Sequence, residues 1–323
     1  MNANLNSKKI LITGGSGFFG KSILSFLKKE SSLSKVIILS RNPDSIKKYF
    51  NLNDFNFDID LISHDIKNEI MIEESIDFII HAATESSTSL SKDNPLLMRS
   101  TIVDGTKNVL QFAVKNHTKR VLFVSSGAVY GKNSNISSGL KESDFNKVDF
   151  LNPLSSYSLS KQHAEHLCAL YAAKYNISFV IARCFAFVGP YLPLNAHFAI
   201  GNFINDAING NDIIIKGDGN TIRSYLFADD LAEWLLTILL SGSDSEAYNV
   251  GSKNKISIYN LANKVIEALE SQSNVRIMSE PSDLIDSYFP NTNKIVNDLN
   301  VVEKHSLIDA IKITAKHHLK NNY

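Results

Sequence analysis

Residues 9–20 read Lys-Ile-Leu-Ile-Thr-Gly-Gly-Ser-Gly-Phe-Phe-Gly, and the fold follows from how that stretch is built. Residues 9–13 are a short apolar run of the kind that forms a strand buried on both faces. Residues 21–29 then take a helical period, with Ile23, Leu24, Phe26 and Leu27 apolar. Between strand and helix lie glycines in two overlapping spacings. Gly15, Gly17 and Gly20 fit GxGxxG, and Gly14, Gly17 and Gly20 fit GxxGxxG. Glycines there permit a tight turn and close backbone approach to a pyrophosphate, and the helix N-terminus offers its free N–H groups to the anion. A glycine pattern alone is weak evidence. Its place directly after a strand and at the opening of a helix is the context the motif requires.

The same strand–helix rhythm continues outward. Strands are expected at 35–39, 58–62, 77–81, 120–125 and 177–183, and helices at 104–117 and 157–175. Repeated β-α-β units imply a doubly wound parallel α/β sheet with helices on both faces. After about residue 184 segments shorten, and Gly189-Pro190, Gly201, Gly210, Gly217 and Gly219 punctuate them. Helices are expected at 229–240, 259–270 and 306–319. This organisation divides the chain into a dinucleotide-binding part at 1–184, which carries the catalytic residues, and a smaller substrate-binding lobe at 185–323, with some chain returning to the sheet. The lobe is expected at the C-terminal edge of the sheet, where open α/β folds bind ligands.

Composition removes several function classes. Of 323 residues, 44% are hydrophobic and 20% charged, which suits a globular chain. Lys+Arg and Asp+Glu both number 33, so no global field draws nucleic acid or an anionic membrane. The two cysteines, Cys168 and Cys184, form no CxxC pair, so neither a zinc site nor a redox dithiol is expected, and no metal. Met-Asn-Ala-Asn-Leu-Asn-Ser-Lys-Lys at the N-terminus has no long apolar stretch, and no run approaches the ~20 apolar residues of a membrane span. The expectation is a soluble, cytoplasmic enzyme.

Cofactor choice is read at the end of the second strand. NAD-selective sites place a carboxylate there for the ribose 2′-hydroxyl. Here the strand ends Leu39-Ser40-Arg41-Asn42, without one. Ser40 and Arg41 suit a 2′-phosphate, Arg through its fork of donors, so NADP(H) is expected over NAD(H); a solvated Arg41 is the plain alternative. Asp65, after the third strand, reads equally as an acceptor for adenine's amino group or as a turn residue.

The chemistry is read at Tyr157-Ser158-Leu159-Ser160-Lys161, whose i and i+4 members share a helix face. A lysine cation beside a phenol lowers its pKa and makes tyrosine a usable acid or base. Val124-Ser125-Ser126-Gly127-Ala128-Val129-Tyr130-Gly131 follows the fifth strand, and Ser126 there suits a hydrogen bond to a substrate oxygen.

With these motifs in place, the chain resembles the extended short-chain dehydrogenases/reductases, in the nucleotide-sugar epimerase/dehydratase/reductase group. The resemblance runs over nearly the whole chain. It takes in the glycine loop, His81-Ala82-Ala83, the Ser-Ser-x-x-Val-Tyr-Gly run, Tyr157 and Lys161, and residues 183–190. It continues through Gly217-Asp218-Gly219, residues 223–232 and Tyr248-Asn249-Val250-Gly251. It implies a Rossmann fold with Phe18, Phe19, Ile66, Ala82 and Ala83 beside the cofactor. Tyr157 is then the acid/base, Lys161 its tuner and a ribose ligand, and Ser126 the third catalytic member. Arg223 would bind the diphosphate of a nucleotide sugar, Glu85 the sugar and His197 the nucleotide base. The resemblance also implies a homodimer through the helices at 104–117 and 157–175, and a place in polysaccharide biosynthesis.

The departures narrow the reaction. The group's 4,6-dehydratases carry an Asp-Glu pair where this chain has Gly127 and Ala128, so dehydration is disfavoured. Asp104 and Ala186 replace asparagines common in the group, which points to a reshaped sugar site. The expected function is reduction of the C4 keto group of a nucleotide-linked deoxysugar, with a C4 epimerase holding NAD as the alternative. A non-catalytic NADP-binding protein would have lost part of the Tyr/Lys/Ser set, which is intact. Cys184 and Trp234 are expected in the core, His81 as a structural hydrogen-bonding group, and the two glutamates of 72–76 on a solvated face.

Overall fold

The computed structural model describes residues 5–29, 33–84, 93–131, 137–144, 148–196, 198–282 and 285–321. The chain runs β1 (Lys9–Thr13), α1 (Phe18–Leu27), β2 (Lys35–Ser40), β3 (Asp58–Ser63), β4 (Phe78–His81), α2 (Pro95–Lys115), β5 (Arg120–Ser126), α3 (Ser156–Tyr175) and β6 (Phe179–Cys184). It then leaves the sheet through β7 (Phe187–Val188), α4 (Ala199–Ile208), β8 (Ile213–Ile215), β9 (Ile222–Ser224), β10 (Leu226–Phe227) and α5 (Ala228–Ser241). It returns as β11 (Ala247–Val250) and finishes in β12 (Lys255–Ser257), α6 (Ile258–Leu269), β13 (Val275–Ile277), β14 (Ser287–Tyr288), α7 (Asn293–Leu299) and α8 (Leu307–Asn321).

The main sheet has seven strands in the order β3-β2-β1-β4-β5-β6-β11, each pair parallel. Strand order reverses between β1 and β4, the switch point at which such sheets open a ligand crevice. Side chains along β1 alternate between two cores, as a strand requires. Ile10 and Ile12 join Ile23, Leu24 and Trp234 beneath α1 and α5. Leu11 joins Leu110, Val121 and Cys168 beneath α2 and α3. Because both faces are covered, the strand reads as a continuous apolar run. A third core, including Ile200, Ile204, Leu261 and Ile311, belongs to the lobe, whose small sheet has the order β12-β9-β14.

Two expectations are corrected. The helix expected at 104–117 begins at Pro95, because Asn94 caps it, accepting from Leu97 N–H at 3.0 Å, and proline suits the first helical position. Glu74 does not lie on a solvated face: it pairs with Lys9 at 2.7 Å and Lys35 at 3.3 Å and ties the N-terminal ends of β1 and β2 together. No helix among the described residues is long and apolar enough to cross a membrane.

Candidate active site

The glycine loop closes on itself. Gly14 has φ +69°, and a Cβ there would sit 2.7 Å from the Ala83 backbone, so only glycine fits the turn. A Cβ at Gly20 would lie 2.2 Å from Gly15, so Gly20 lets α1 pack onto the loop. Gly17 is the N-cap of α1 without a side-chain cap, which leaves the first N–H groups of the helix, at Phe18 and Phe19, facing the cavity. A backbone cradle with uncapped helix N–H groups fits the pyrophosphate of a dinucleotide.

The cavity measures about 1390 Å³. That exceeds the ~300–1,000 Å³ of a site for one small ligand, so it has room for a dinucleotide and a second molecule. Along one wall lie Ser40, Arg41, Asp65, Ile66, Ala82 and Ala83. Ser40 Oγ is 2.8 Å from Ser16 Oγ, joining the end of β2 to the glycine loop. Asp65 forms a turn, accepting from Lys67 N–H at 3.0 Å while its other oxygen lies 3.6 Å from the Lys67 ammonium. Ile66 is buried, and its carbonyl accepts from Asn108 at 3.0 Å.

His81 lies beneath the switch point at 1% exposure. Burial first, and the nearby Lys161 charge second, push its pKa down to about 3, so the ring is neutral. The Thr106 hydroxyl gives its proton to the Ile102 carbonyl at 2.6 Å, so His81 Nε2, at 3.1 Å, is the donor to it. Nδ1 then accepts from Thr13 Oγ1 at 2.7 Å, and Thr13 in turn accepts from Ala83 N–H at 3.2 Å. The histidine is a structural link that fixes the loop after β4, as expected.

Ser126, Tyr157 and Lys161 line the same cavity. Ser126 ends β5, and its Oγ accepts from Ala128 N–H at 3.1 Å. Tyr157 and Lys161 lie one turn apart on α3. Lys161 is 2% exposed; its ammonium donates to the Val124 carbonyl at 2.8 Å and sits 4.8 Å from the Phe123 ring centroid. Burial pulls its pKa down to about 8, against the opposing influence of Cys184, Glu165 and Cys168. The expectation of a lowered pKa at Tyr157 is corrected. Burial pushes the phenol up to about 12, opposed by its hydrogen bond with Ser126, and Lys161 is turned to Val124.

A polar network braces this trio from behind. Glu165 of α3 and Arg183 of β6 form a bidentate pair with a closest approach of 2.8 Å, and Ser125 donates to Glu165 at 2.6 Å. Arg183 also donates to the Tyr130 hydroxyl at 3.1 Å, and Tyr130 donates to Asn249 of β11 at 2.7 Å. Three sheet strands and α3 are thus tied at the level of Ser126. The motifs contained Arg183, Tyr130 and Asn249, but sequence reasoning gave them no role and overlooked Glu165.

On the lobe side, Arg223 of β9 faces the cavity and pairs with Asp286 at 2.6 Å. Gly127 is hemmed in: a Cβ there would lie 2.8 Å from both Phe185 Cε1 and the Tyr288 hydroxyl. Tyr288 was missed from the sequence, where it sits in no motif. Cys184 is 4% exposed in the core beneath the site, and burial pushes its thiol pKa up. Trp234 is likewise core, at 2% exposure. Glu85 and His197 lie outside the described residues.

A strand–glycine turn–helix at a parallel-sheet switch point, with Tyr157, Lys161 and Ser126 across the same cavity, defines a nicotinamide-dinucleotide class of fold. Residues 10–251 match the NAD dependent epimerase/dehydratase family, and the chain belongs to it. It is 29% identical to dTDP-D-glucose 4,6-dehydratase of Dictyostelium discoideum, over 80% of this chain and 62% of that one. It is also 29% identical to UDP-glucuronic acid decarboxylase 5 of Arabidopsis thaliana, over 86% of this chain and 80% of the relative. The fold is similar to the crystal structure of UDP-glucose 4-epimerase with UDP-glucose from Thermotoga maritima. The TM-score is 0.85 at 22% identity, with 98% of this chain and 100% of that one covered.

Proposed function

We propose that this chain reduces the C4 keto group of a nucleotide-linked deoxysugar, with Tyr157, Lys161 and Ser126 carrying the reaction. The observation behind this reading is the Gly127 position. Elimination of water from a sugar needs groups that remove a carbon-bound proton and protonate the departing oxygen. Residue 127 has no side chain, Phe185 and Tyr288 hold the space one would occupy, and residue 128 is alanine. The phenols that remain are proton donors. Held up to about 12 by burial, Tyr157 keeps its proton at neutral pH and is suited to protonate an oxygen that gains negative charge, as a carbonyl does on reduction. Ser126 holds that oxygen beside Tyr157. A bound nicotinamide dinucleotide supplies the hydride.

The chain's own residues fit both ligands. Gly14, Gly17, Phe18 and Phe19 offer backbone to the pyrophosphate, and Asp65, Ile66, Ala82 and Ala83 wall the dinucleotide. Lys161 binds its ribose. Arg223 takes the diphosphate of the sugar nucleotide through forked hydrogen bonds, which suit phosphate oxygens. The UDP- and dTDP-sugars in the names of the relatives support that substrate class. For the cofactor we assign NADP(H), on the absence of a carboxylate at Ser40-Arg41-Asn42. Fluorescence titration should then show tighter NADPH than NADH binding, with Arg41→Ala removing the difference; equal affinities in the unaltered protein would contradict the assignment. A homodimer through α2 and α3 completes the proposal, and light scattering that showed a monomer would remove it.

The test of function follows nicotinamide absorbance as the enzyme meets a panel of nucleotide-linked 4-keto-6-deoxysugars. Steady loss of reduced cofactor is expected, and Tyr157→Phe should slow it by about 10²–10⁴-fold. Unchanged turnover in that variant would sink the assigned role. The family's NAD dependence favours one second reading, a C4 epimerase. It predicts no net cofactor loss, NAD released on denaturation, and a scrambled C4 configuration when a nucleotide sugar with a C4 hydroxyl is supplied.

A further inference from the structure

The last turn of α8 reaches the glycine-loop helix through a cluster of rings. His317 stacks on Tyr49, with centroids 6.1 Å apart and planes at 15°, and meets Tyr191 edge-on at 5.3 Å. Tyr49 and Tyr191 close the triad at 5.6 Å, also edge-on. The three rings come from distant parts of the chain. Tyr49 follows the short helical turn Pro43–Lys48 beyond β2, Tyr191 follows β7, and α8 packs in the core of the lobe. Phe50, 6% exposed, lies 5.5 Å from Tyr191 and roots the cluster in the core beneath α1.

This triad holds Lys21. The Lys21 ammonium sits 4.2 Å from the Tyr49 centroid, a cation on a ring face. Lys21 belongs to the first turns of α1 and lines the cavity with Phe18, Phe19, Arg41 and Asn42, as Tyr191 does. Burial lowers its pKa, and among the described residues no carboxylate is paired with it. A partly desolvated cation without a counter-charge, beside the free N–H groups that open α1, is complementary to phosphate. The histidines add no charge of their own. Burial above all lowers the pKa of both His317 and His318, so at neutral pH His317 serves as a neutral ring.

We propose that His317 is a positioning residue for the dinucleotide: wedged against Tyr49 and Tyr191, it fixes the ring on which the Lys21 ammonium rests, and Lys21 meets a phosphate of the bound dinucleotide. The proposal rests on the dinucleotide reading of the cavity. It gives the last turn of α8 a part in cofactor affinity, exerted through Lys21 and not by touching the ligand.

The test is fluorescence titration of the full chain with NADH and with NADPH, at low and at high salt. Lys21→Met should weaken binding about tenfold, the scale of one charged hydrogen bond, and flatten its salt dependence. His317→Ala should weaken binding about fivefold and flatten the salt dependence likewise, whereas His317→Phe, which keeps a ring in the slot, should stay within about twofold of the unaltered protein. In a Lys21→Met background, His317→Ala should cost less than about twofold more, because both changes remove one contact. Loss with both dinucleotides places Lys21 at the pyrophosphate, and loss with NADPH alone places it at the 2′-phosphate; either upholds the proposal. Tyr49→Leu removes the ring face beneath Lys21 at a half-exposed position and should reproduce the His317→Ala loss, which keeps the test open should His317→Ala not fold. Unchanged affinity in His317→Ala or Tyr49→Leu, a loss that keeps the full salt dependence, or an undiminished loss in the Lys21→Met background would overturn the proposal and leave the dinucleotide reading in place. Binding of neither dinucleotide by the unaltered protein would overturn both.

Discussion

The ammonium of Lys161 donates to the carbonyl oxygen of Val124 at 2.8 Å, joining α3 to the strand that ends in Ser126. This bond is made by a lysine that burial holds down to about 8. The unfolded chain therefore binds the proton more tightly than the folded one between pH 8 and the ordinary lysine value of 10.5. Stability gains from this group as pH rises through that window and loses the gain as pH falls back through 8. Lys161→Met should flatten that alkaline rise in denaturant midpoint while greatly reducing turnover. A variant with an unaltered rise would show that Lys161 is not the group that titrates.

His81 works in the acid range. Folded, it resists protonation down to about pH 3, whereas the ordinary value is 6.5. Its contribution is fully present above 6.5 and is lost as pH falls toward 3, at up to about 1.4 kcal/mol per pH unit. His81→Gln should therefore show a shallower acid limb in denaturation midpoints from pH 7 to pH 4. An acid limb of unchanged slope would contradict the assignment.

Legibility from sequence tracked the range of the contacts involved. The glycine loop was readable because its constraint is local: Gly14 turns on its own φ, and Gly20 meets Gly15 within the same loop. Tyr157 and Lys161 were readable because helix geometry alone places i and i+4 together. The sign of the shift at Tyr157 was not, because it is set by burial and by where the Lys161 ammonium goes, and both depend on β5. Tyr288 was invisible for the same reason. Its meeting with Ser126 and Gly127 requires the lobe to dock, and no spacing in the chain encodes that. The Asn94-Pro95 helix start is a local capping signal, ahead of the segment at 104–117 whose amphipathic period marks the helix.

Arg223 and Asp286 form a pair, and the diphosphate proposed to bind Arg223 would compete with it. Arg223→Ala should weaken UDP binding about tenfold or more, the scale of a charged hydrogen bond. Asp286→Asn should instead tighten it, because the guanidinium is released for the ligand. Calorimetry reads both; weakening by Asp286→Asn would mean that the carboxylate positions Arg223 rather than competes for it.

The Glu165–Arg183 pair is largely buried, with side chains 11% and 13% exposed. Removing one partner leaves the other charge buried and uncompensated, at a cost of about 3–5 kcal/mol. Glu165→Ala should lower the urea midpoint accordingly. A loss under about 1 kcal/mol, the scale of a surface pair, would contradict the bracing role given to this network.

The central claim, net reduction at a sugar carbonyl, is tested most directly by isotope transfer. The enzyme is given reduced nicotinamide dinucleotide deuterated at the transferred position, together with a nucleotide-linked 4-keto-6-deoxysugar, and the product is weighed by mass spectrometry. The account predicts a product carrying the deuterium at C4, formed in step with cofactor oxidation. Recovery of the 4-keto sugar unreduced and unlabelled, with the cofactor left reduced, would contradict it.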